Sequence, residues 1–200
     1  MKDNTTLAWY EQNAAEYVQK TREADMHYAY QRFLEDTVDH AEILDLGCGS
    51  GRDTKYFLSR GMNVHACDGS PAMAKEASAY TGIPVTCMKF EELNETDRYD
   101  GIWACASLLH LPYEELESVF GKMLKAVHKE GILYMNFKYG TFEGYRDGRW
   151  YTDMDIDQAA RLILPHRDAL LLECWKSHDT LNRDQLWLNL IVRKVTPHDH

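Results

Sequence analysis

Short apolar runs alternate with amphipathic segments along much of the chain. The apolar runs have the length and composition of buried strands, and the segments between them have the spacing of helices with one apolar face. The clearest helix follows Pro112 and places apolar side chains at steps of three and four. The predicted strands are Glu42–Leu46, Asn63–Cys67, Pro84–Met88, Tyr99–Cys105 and Gly131–Phe137, and the predicted helices are Asp53–Arg60, Pro71–Tyr80 and Tyr113–Lys129. This alternation predicts βαβ units and a parallel sheet.

After the fifth predicted strand the pattern changes. A loop rich in Gly, Tyr and Arg (Tyr139–Trp150) is followed by a helix around Asp155–Leu164 and two apolar runs, Ala169–Trp175 and Leu186–Val195. The stretch His178–Asp184 is too short for a parallel crossover, so the two runs are expected to pair as a hairpin. The expected fold is α/β, a doubly wound, seven-stranded, mostly parallel sheet with a C-terminal antiparallel hairpin. Ligands are expected at the carboxyl ends of its strands.

Composition limits the class of protein. The 200 residues are 44% hydrophobic and 27% charged, which is typical of a globular chain, and residues 1–200 are predicted to form one domain. The formal net charge of −10 opposes a nucleic-acid partner. No apolar run approaches the roughly 20 residues that cross a bilayer. Five cysteines without a C-x-x-C pair, and a start without a signal-peptide core, predict a cytoplasmic protein.

A glycine-rich turn follows the first predicted strand within ILDLGCGSGRD, Ile43–Asp53. Gly47 and Gly49 allow a ligand to lie against the main chain beside a helix N-terminus. A dinucleotide fingerprint would have a third glycine where this chain has Arg52. Asp45 would repel a diphosphate, so the turn favours a ligand with an ammonium or sulfonium centre. Arg52-Asp53 begins the next helix, where Asp53 suits the helix dipole. Arg52 is either part of this helix start or reaches a ligand carboxylate, and the sequence leaves both roles open.

The second predicted strand ends in Asp68, followed by Gly69-Ser70-Pro71. A carboxylate at this position is suited to accept hydrogen bonds from ribose hydroxyls. The alternative is an aspartate that caps the following helix. The glycine turn before it favours the ribose role, because both features belong to one βαβ unit.

These segments together resemble the class I S-adenosylmethionine-dependent methyltransferase family. The resemblance rests on ILDLGCGSGRD, on VHACDGSPAMAKEA, on FEEL after the third strand and on YDGIWACASLLHL at the fourth. More narrowly, the chain resembles small bacterial enzymes related to the tellurite-resistance methyltransferases. The resemblance implies S-adenosylmethionine-dependent methyl transfer to a small-molecule acceptor by in-line displacement.

The resemblance also implies a set of cofactor-binding residues. The glycines would pass beneath the methionine part of the cofactor, Asp45 would lie near its ammonium group, and Phe90 and Glu91 would flank the adenine. The family often has Asp where Lys89 or Phe90 stands, and Glu91 is the best substitute. The implied set is Tyr17, Asp45, Gly47, Gly49, Gly51, Asp68, Gly69, Ser70, Phe90, Glu91 and Ala104.

The N-terminal segment, residues 1–38, resembles a helical lid that folds over the cofactor and brings Tyr17 to it. The alternative is a helix packed on the sheet, since aromatic residues often fill cores. Both interpretations stay open at this point.

His110 follows the fourth strand, on the side where the methyl group should emerge. An oxygen or nitrogen nucleophile that starts protonated needs a base, and a histidine suits this role. The alternative is a loop histidine that is hydrogen-bonded to backbone. Arg146, Arg149 and Tyr145 are predicted to bind an anionic or planar substrate, and solvated loop arginines are the alternative.

Two other functional classes stay open: a non-catalytic S-adenosylmethionine-binding protein and a dinucleotide-dependent oxidoreductase. The glycine turn and Asp45 oppose the second class. No metal site is expected, because His65 and Cys67 share a strand face without a third ligand. The acceptor, the methylated atom and the oligomeric state are left undetermined by the sequence.

Overall fold

The computed structural model describes residues 5–181 and 183–196, which form six helices and nine strands. The helices are α1 Thr5–Thr21, α2 His27–Glu35, α3 Arg52–Ser59, α4 Pro71–Thr81, α5 Tyr113–Ala126 and α6 Ile156–Ile163. The strands are β1 Glu42–Leu46, β2 Asn63–Asp68, β3 Val85–Cys87, β4 Tyr99–Ala104, β5 Val127–Lys138, β6 Glu143–Arg146, β7 Arg149–Thr152, β8 Ala169–His178 and β9 Leu186–Lys194.

Seven strands form one sheet in the order β3-β2-β1-β4-β5-β9-β8. The first five strands are parallel to one another, and β9 is antiparallel to both β5 and β8. The expected mostly parallel sheet with a C-terminal hairpin is therefore confirmed. Successive strands are added on one side of β1 up to β3 and on its other side from β4 onward, so the switch point of the strand order lies between β1 and β4. Ligands bind at this point in open α/β sheets.

The central strands of the sheet, β1, β4 and β5, are buried on both faces, as parallel strands covered by helices require. Neighbouring side chains of β4 belong to two different apolar clusters, Ile102 to the first and Trp103 to the second. The first cluster contains the apolar face of α5, and the second contains Phe33 of α2 and Phe57 of α3. Within the described residues, no helix is both long and apolar enough to cross a bilayer.

The helix predicted to reach Lys129 ends at Ala126, and β5 begins at the next residue. Val127 pairs with Tyr99, and the register then shifts before Ile132 pairs with Gly101. The prediction was wrong here because the apolar spacing continues past the helix end. The strand pairing then overrides the helical pattern.

The segment predicted as a loop over Tyr139–Trp150 contains the hairpin of β6 and β7 instead. Arg146 pairs with Arg149, so the turn consists of Asp147 and Gly148, both with positive φ. Asp-Gly is a favoured pair for such two-residue turns, and this signal was missed.

α1 connects the hairpin to the first half of the sheet. Glu11 Oε2 accepts hydrogen bonds of 2.9 Å from Ser70 Oγ and from the Ala72 amide, at the start of α4. At the other side, the Trp150 amide donates to Thr6 Oγ1 over 2.8 Å. The second helix, α2, instead buries Phe33 against the sheet. Of residues 5–38, the described part of the predicted N-terminal segment, α1 and the residues between α1 and α2 reach the cavity described below.

Candidate active site

A cavity of about 460 Å³ opens at the carboxyl ends of the parallel strands. The turns after β1, β2, β3 and β4 line one half of it. The end of β5, the β6–β7 hairpin and the β8–β9 turn line the other half, and α1 contributes Thr6, Leu7, Tyr10 and Tyr17. We call these the cofactor half and the acceptor half. The location is the one expected for this type of sheet.

The glycine turn brings the main chain to the cavity. Gly47 and Gly49 both line it, with φ of +81° and +54°. A Cβ on Gly47 would lie 2.5 Å from Ser107 Cβ, so a side chain does not fit there. A Cβ on Gly49 would meet no atom nearer than Tyr17 Cε1 at 3.8 Å, so space is open beside this residue. Glycine is therefore required at position 47 by the close approach of Ser107, and at position 49 it leaves the main chain accessible from the cavity.

Asp68 lines the cavity at the end of β2. Its Oδ2 accepts from the Gly49 amide over 3.0 Å, and its Oδ1 accepts from the Ser70 amide over 2.9 Å. Burial raises the pKa of Asp68, and these two hydrogen bonds oppose the rise. The N-cap of α4 is Ser70, whose hydroxyl accepts from the Met73 amide. Asp68 is therefore not the residue that caps α4.

Gly69, Phe90, Glu91 and Tyr17 also line the cavity, as the resemblance implied. Phe90 lies beside the glycine turn, since a Cβ on Gly47 would be 3.1 Å from its ring. The Tyr17 ring lies 5.0 Å from the Tyr10 ring, edge to face. The helix α1 thus brings aromatic side chains to the cavity, which its lid interpretation required.

Four of the predicted cofactor-binding residues do not line the cavity: Asp45, Gly51, Ser70 and Ala104. Asp45 is buried and accepts a 2.6 Å hydrogen bond from Thr54 Oγ1. Burial, with the negative charge of Asp53 nearby, raises its pKa to about 8. The Asp45 side chain is therefore directed to α3 and not to the cavity, and its proximity to a ligand ammonium stays a prediction.

The other three residues serve the packing around the site. A Cβ on Gly51 would lie 2.9 Å from Thr81 Cγ2 and 3.2 Å from Ala77 Cα, so this glycine allows α3 to approach α4. Ser70 Oγ donates to Glu11. Ala104 is fully buried in β4, and the cavity wall begins at the next residue, Cys105.

Arg52 lines the cavity and has a carboxylate partner. Its Nε and Nη2 lie 2.6 and 2.9 Å from the carboxylate of Asp53. Asp53 also accepts from Trp103 Nε1 over 2.8 Å and from the Tyr30 hydroxyl. Burial alone would raise the pKa of Asp53, but Arg52 and these donors hold it below its usual value. The guanidinium is therefore held in a fixed position at the edge of the cofactor half.

His110 lies in the cavity wall between α1 and the hairpin. Its Nδ1 is 2.7 Å from the Trp150 carbonyl oxygen, and its Nε2 is 2.8 Å from the Tyr10 hydroxyl. A carbonyl only accepts, so Nδ1 carries the proton and Nε2 accepts from Tyr10. Burial lowers the pKa of His110 to about 4 and keeps the ring neutral near pH 7.

In the acceptor half, Arg149 and Tyr145 line the cavity but Arg146 does not. Arg146 forms an ion pair with Asp153 and lies over the Phe142 ring. The prediction that Arg146 faces the substrate is therefore not supported by its position. In a two-residue hairpin, Arg146 and Arg149 are directly paired, and they turn to different partners.

The acceptor half includes residues that the sequence did not indicate. Asn136 and Lys138 line the cavity from the end of β5, and Asp179, Arg183 and Trp187 line it from the β8–β9 turn. The available signal was strand direction. When the second strand of a hairpin pairs antiparallel with the last parallel strand of a sheet, the hairpin turn lies at the carboxyl edge of the parallel strands. Here β9 pairs with β5 in this way.

The strand order, the glycine turn after β1 and the carboxylate at the end of β2 are those of a doubly wound sheet that binds a nucleoside-containing ligand at its switch point. Residues 43–131 match the model of the methyltransferase domain family. This match covers 89 of the 200 residues, so this part of the chain is similar to a methyltransferase domain. The narrower resemblance to tellurite-resistance methyltransferases stays a prediction.

Two curated relatives are similar in sequence. One is a malonyl-[acyl-carrier protein] O-methyltransferase of Acetivibrio thermocellus, 26% identical over 113 residues, or 54% of this chain and 39% of the relative. The other is an uncharacterized methyltransferase of Geobacillus thermodenitrificans, 27% identical over 143 residues, or 68% of this chain and 66% of the relative. The matched part of the chain thus spans less than two thirds of either relative's length.

A solved structure is similar over most of the fold. It is the 1,6-didemethyltoxoflavin-N1-methyltransferase of Burkholderia thailandensis, with bound 1,6-didemethyltoxoflavin and S-adenosylhomocysteine. The TM-score is 0.76 at 20% identity, covering 94% of this chain and 85% of that one. At this identity the similarity concerns the fold alone.

Proposed function

We propose that this protein transfers a methyl group from S-adenosylmethionine to a small-molecule acceptor by in-line displacement. The observation that carries the proposal is one cavity with two distinct halves. The glycine turn and Asp68 are in the first half, and His110 and Tyr10 are at the boundary with the second. Such a cavity suits a reaction in which a protein mainly aligns two bound molecules.

The residues of the cofactor half fit this donor, which when bound supplies a methyl group on a cationic sulfur. Gly49 leaves room beside the main chain that a Cβ would fill. Asp68 would accept from the ribose hydroxyls, and Phe90 and Glu91 would lie beside the adenine. Arg52 would bind the carboxylate of the methionine part of the donor, since its guanidinium lines the cavity in a fixed position.

His110 acts through Tyr10 in this proposal. As an oxygen or nitrogen acceptor loses its proton, the Tyr10 oxygen takes that proton and passes its own to His110 Nε2. The Trp150 carbonyl, which accepts from Nδ1, stabilises the imidazolium that forms. An acceptor that is already an anion at the reacting atom needs no such step. Tyr10 then serves to position it.

Three further observations support the remaining parts of the proposal. The Burkholderia thailandensis neighbour was crystallised with a small molecule and S-adenosylhomocysteine, which favours a small-molecule acceptor here. All five cysteines are unpaired, which favours a reducing cytoplasm. The net charge of −10 argues against a nucleic-acid acceptor.

Calorimetry tests the proposal with S-adenosylhomocysteine and NAD as the two probes. We expect saturable binding of S-adenosylhomocysteine and none of NAD. Asp68→Asn should weaken the binding at least about tenfold, because it loses a charge-assisted hydrogen bond. The control is Asp36→Asn, which removes a carboxylate paired with Arg193 away from the cavity. Binding of NAD alone would contradict the proposal.

Labelled S-adenosylmethionine then tests catalysis. Incubation with a panel of small phenols, carboxylates and heterocyclic amines should transfer the label to at least one of them. Binding of the cofactor without any transfer would instead favour a non-catalytic binding protein.

A further inference from the structure

Two cations in the acceptor half have no carboxylate partner within the described ranges, 5–181 and 183–196. They are Lys138, at the end of β5, and Arg149, at the start of β7. The other cationic side chains of this region differ, since Arg146 is paired with Asp153 and Arg183 with Asp179. Two positive charges therefore remain at the cavity without a matching negative charge.

The surroundings of Arg149 leave its guanidinium under-satisfied. Its Cζ lies 4.0 Å from the centroid of the Trp9 ring, and Nη1 is 3.4 Å from the Tyr10 hydroxyl oxygen. Its Nε is buried and has no hydrogen-bond partner among the described residues. An arginine in this state lacks most of the acceptors that its fork of donors requires.

Lys138 and Arg149 lie at the same aromatic ring. Lys138 Nζ is 4.2 Å from the centroid of Tyr151, and Arg149 Cζ is 5.3 Å from it. The Tyr151 ring is also 5.0 Å from the ring of His110. The two unpaired charges are thus close to each other and to the pair of side chains at the proposed point of methyl transfer.

Keeping these cations in the protein has a cost that a bound anion would remove. Burial and the nearby charge of Arg146 lower the pKa of Lys138. Asp153 opposes this effect, but its side chain is paired with Arg146 and it does not line the cavity. Cation–π attraction to the aromatic rings compensates part of this cost, but the rings supply neither a counter-charge nor hydrogen-bond acceptors for these partly buried cations.

We propose that the methyl acceptor is a small aromatic anion whose carboxylate, or equivalent oxyanion, binds between Lys138 and Arg149. Its ring would lie among the aromatic side chains that line this half of the cavity: Tyr10, Tyr145, Trp150, Tyr151 and Trp187. The inference rests on the proposed function, and it adds the charge and shape of the substrate. Flat aromatic walls favour a planar molecule, and a planar guanidinium favours a planar oxyanion.

Matched pairs of ligands test the charge directly. The probes are benzoate, salicylate and 4-hydroxybenzoate, each compared with its primary amide, which has nearly the same shape without the charge. Dissociation constants are measured by NMR titration with S-adenosylhomocysteine at saturation. The wild type should prefer at least one carboxylate over its amide by about tenfold or more.

Substitutions show which residues cause the preference for the carboxylate over its amide. Lys138→Gln and Arg149→Gln should each reduce it to within about threefold, whereas Arg149→Lys, which keeps the charge, should retain part of it. The matched control is Lys176→Gln. Lys176 lies 4.1 Å from the Tyr139 ring, a geometry like that of Lys138, but it does not line the cavity.

The outcomes separate the inference from the proposed function. Equal binding of acids and amides, or no binding of any acid at millimolar concentration, would overturn the inference. A preference that persists in both the Lys138→Gln and Arg149→Gln variants would do the same. Failure of the wild type to bind S-adenosylhomocysteine would instead overturn the proposed function. Circular dichroism and thermal unfolding identify any variant that does not fold, and Arg149→Met, which also removes the charge, then replaces Arg149→Gln in the comparison.

Discussion

Tyr10 and His110, which are 100 residues apart in the chain, are joined by a 2.8 Å hydrogen bond in the cavity wall. Tyr10 comes from α1 and His110 from the turn after β4. Trp150, on the hairpin, accepts from the other ring nitrogen of His110. A neutral histidine with both nitrogens engaged has a defined tautomer and a fixed orientation. Three separate segments therefore meet at one imidazole.

Replacing Tyr10 with Phe removes the hydroxyl and keeps the ring. We expect turnover with the acceptor found by labelled methyl transfer to fall about tenfold to a hundredfold, because His110 loses its link to the acceptor. The affinity for S-adenosylhomocysteine should stay within about threefold. Tyr28→Phe is the control, since that side chain is 58% exposed and lies outside the cavity. A loss of affinity with unchanged turnover would show that Tyr10 only supports cofactor binding.

The pKa of His110 predicts a pH dependence of stability. Its pKa is about 4 in the folded state and near 6.5 when unfolded, so only the unfolded state binds this proton between those values. The free energy of unfolding should therefore fall as the pH drops from about 6.5 to about 4, by up to about 1.4 kcal/mol per pH unit from this group.

Urea unfolding at several pH values measures this slope in the wild type and in His110→Gln. The variant should have the smaller slope over that range, whereas His27→Gln, which changes an exposed histidine, should keep the wild-type slope. In addition, the His110 ring protons should show no titration in NMR spectra between about pH 8 and pH 6. A His110 titration midpoint near pH 6.5 would contradict the burial argument.

Gly51 and Gly82 form a matched pair for a stability prediction. Their φ values are +76° and +81°, so alanine is strained at both positions, by about 1 kcal/mol. Only Gly51 also has neighbours within reach of a Cβ, whereas Gly82 has none within 4 Å. Gly51→Ala should lower the free energy of unfolding by at least about 1 kcal/mol more than Gly82→Ala does. Equal losses in chemical denaturation would show that α3 and α4 adjust without cost.

Glu11 holds α1 against the start of α4 and predicts a change in ligand release. Glu11→Gln keeps the shape and removes the charge near the N-terminus of α4, which weakens the contact by about 1 kcal/mol. Release of S-adenosylhomocysteine, followed by stopped flow, should become about fivefold faster. Glu16→Gln is the control on the same helix, where the carboxylate is exposed and paired only with Lys20. An unchanged release rate in Glu11→Gln would mean that α1 does not control ligand exit.

The sheet was predictable because its strands carry their own signal. Apolar runs, a glycine turn and Asp68 are local features, and the parallel direction of the strands follows from their βαβ connections. The β6–β7 hairpin was missed although Asp147-Gly148 indicates a two-residue turn. The two strands of this hairpin consist of polar, glycine and aromatic residues without a regular apolar face, so their sequence resembles that of a loop.

The candidate site was predictable only in its cofactor half, because that half is built from one stretch of chain. The positions of Asp45 and Arg146 were not predictable. Asp45 accepts from Thr54 and Arg146 pairs with Asp153. These partners are brought near by tertiary packing, which the local sequence does not indicate. Lys138 was missed for a related reason: it is of interest because no carboxylate in the described part of the chain forms an ion pair with it, and a missing partner is visible only in the three-dimensional structure.

The β8–β9 turn lines the acceptor half of the cavity and is distant in sequence from the turns that line the cofactor half. Asp179 fixes the turn by accepting from the Leu181 amide and from Arg183 and Trp187, so the turn has its own internal support. Under the proposed function, this turn would contact the molecule that is methylated, whereas residues 43–91 would contact the methyl donor. Exchange of the turn is therefore expected to change acceptor selectivity and to leave the affinity for S-adenosylhomocysteine within about threefold.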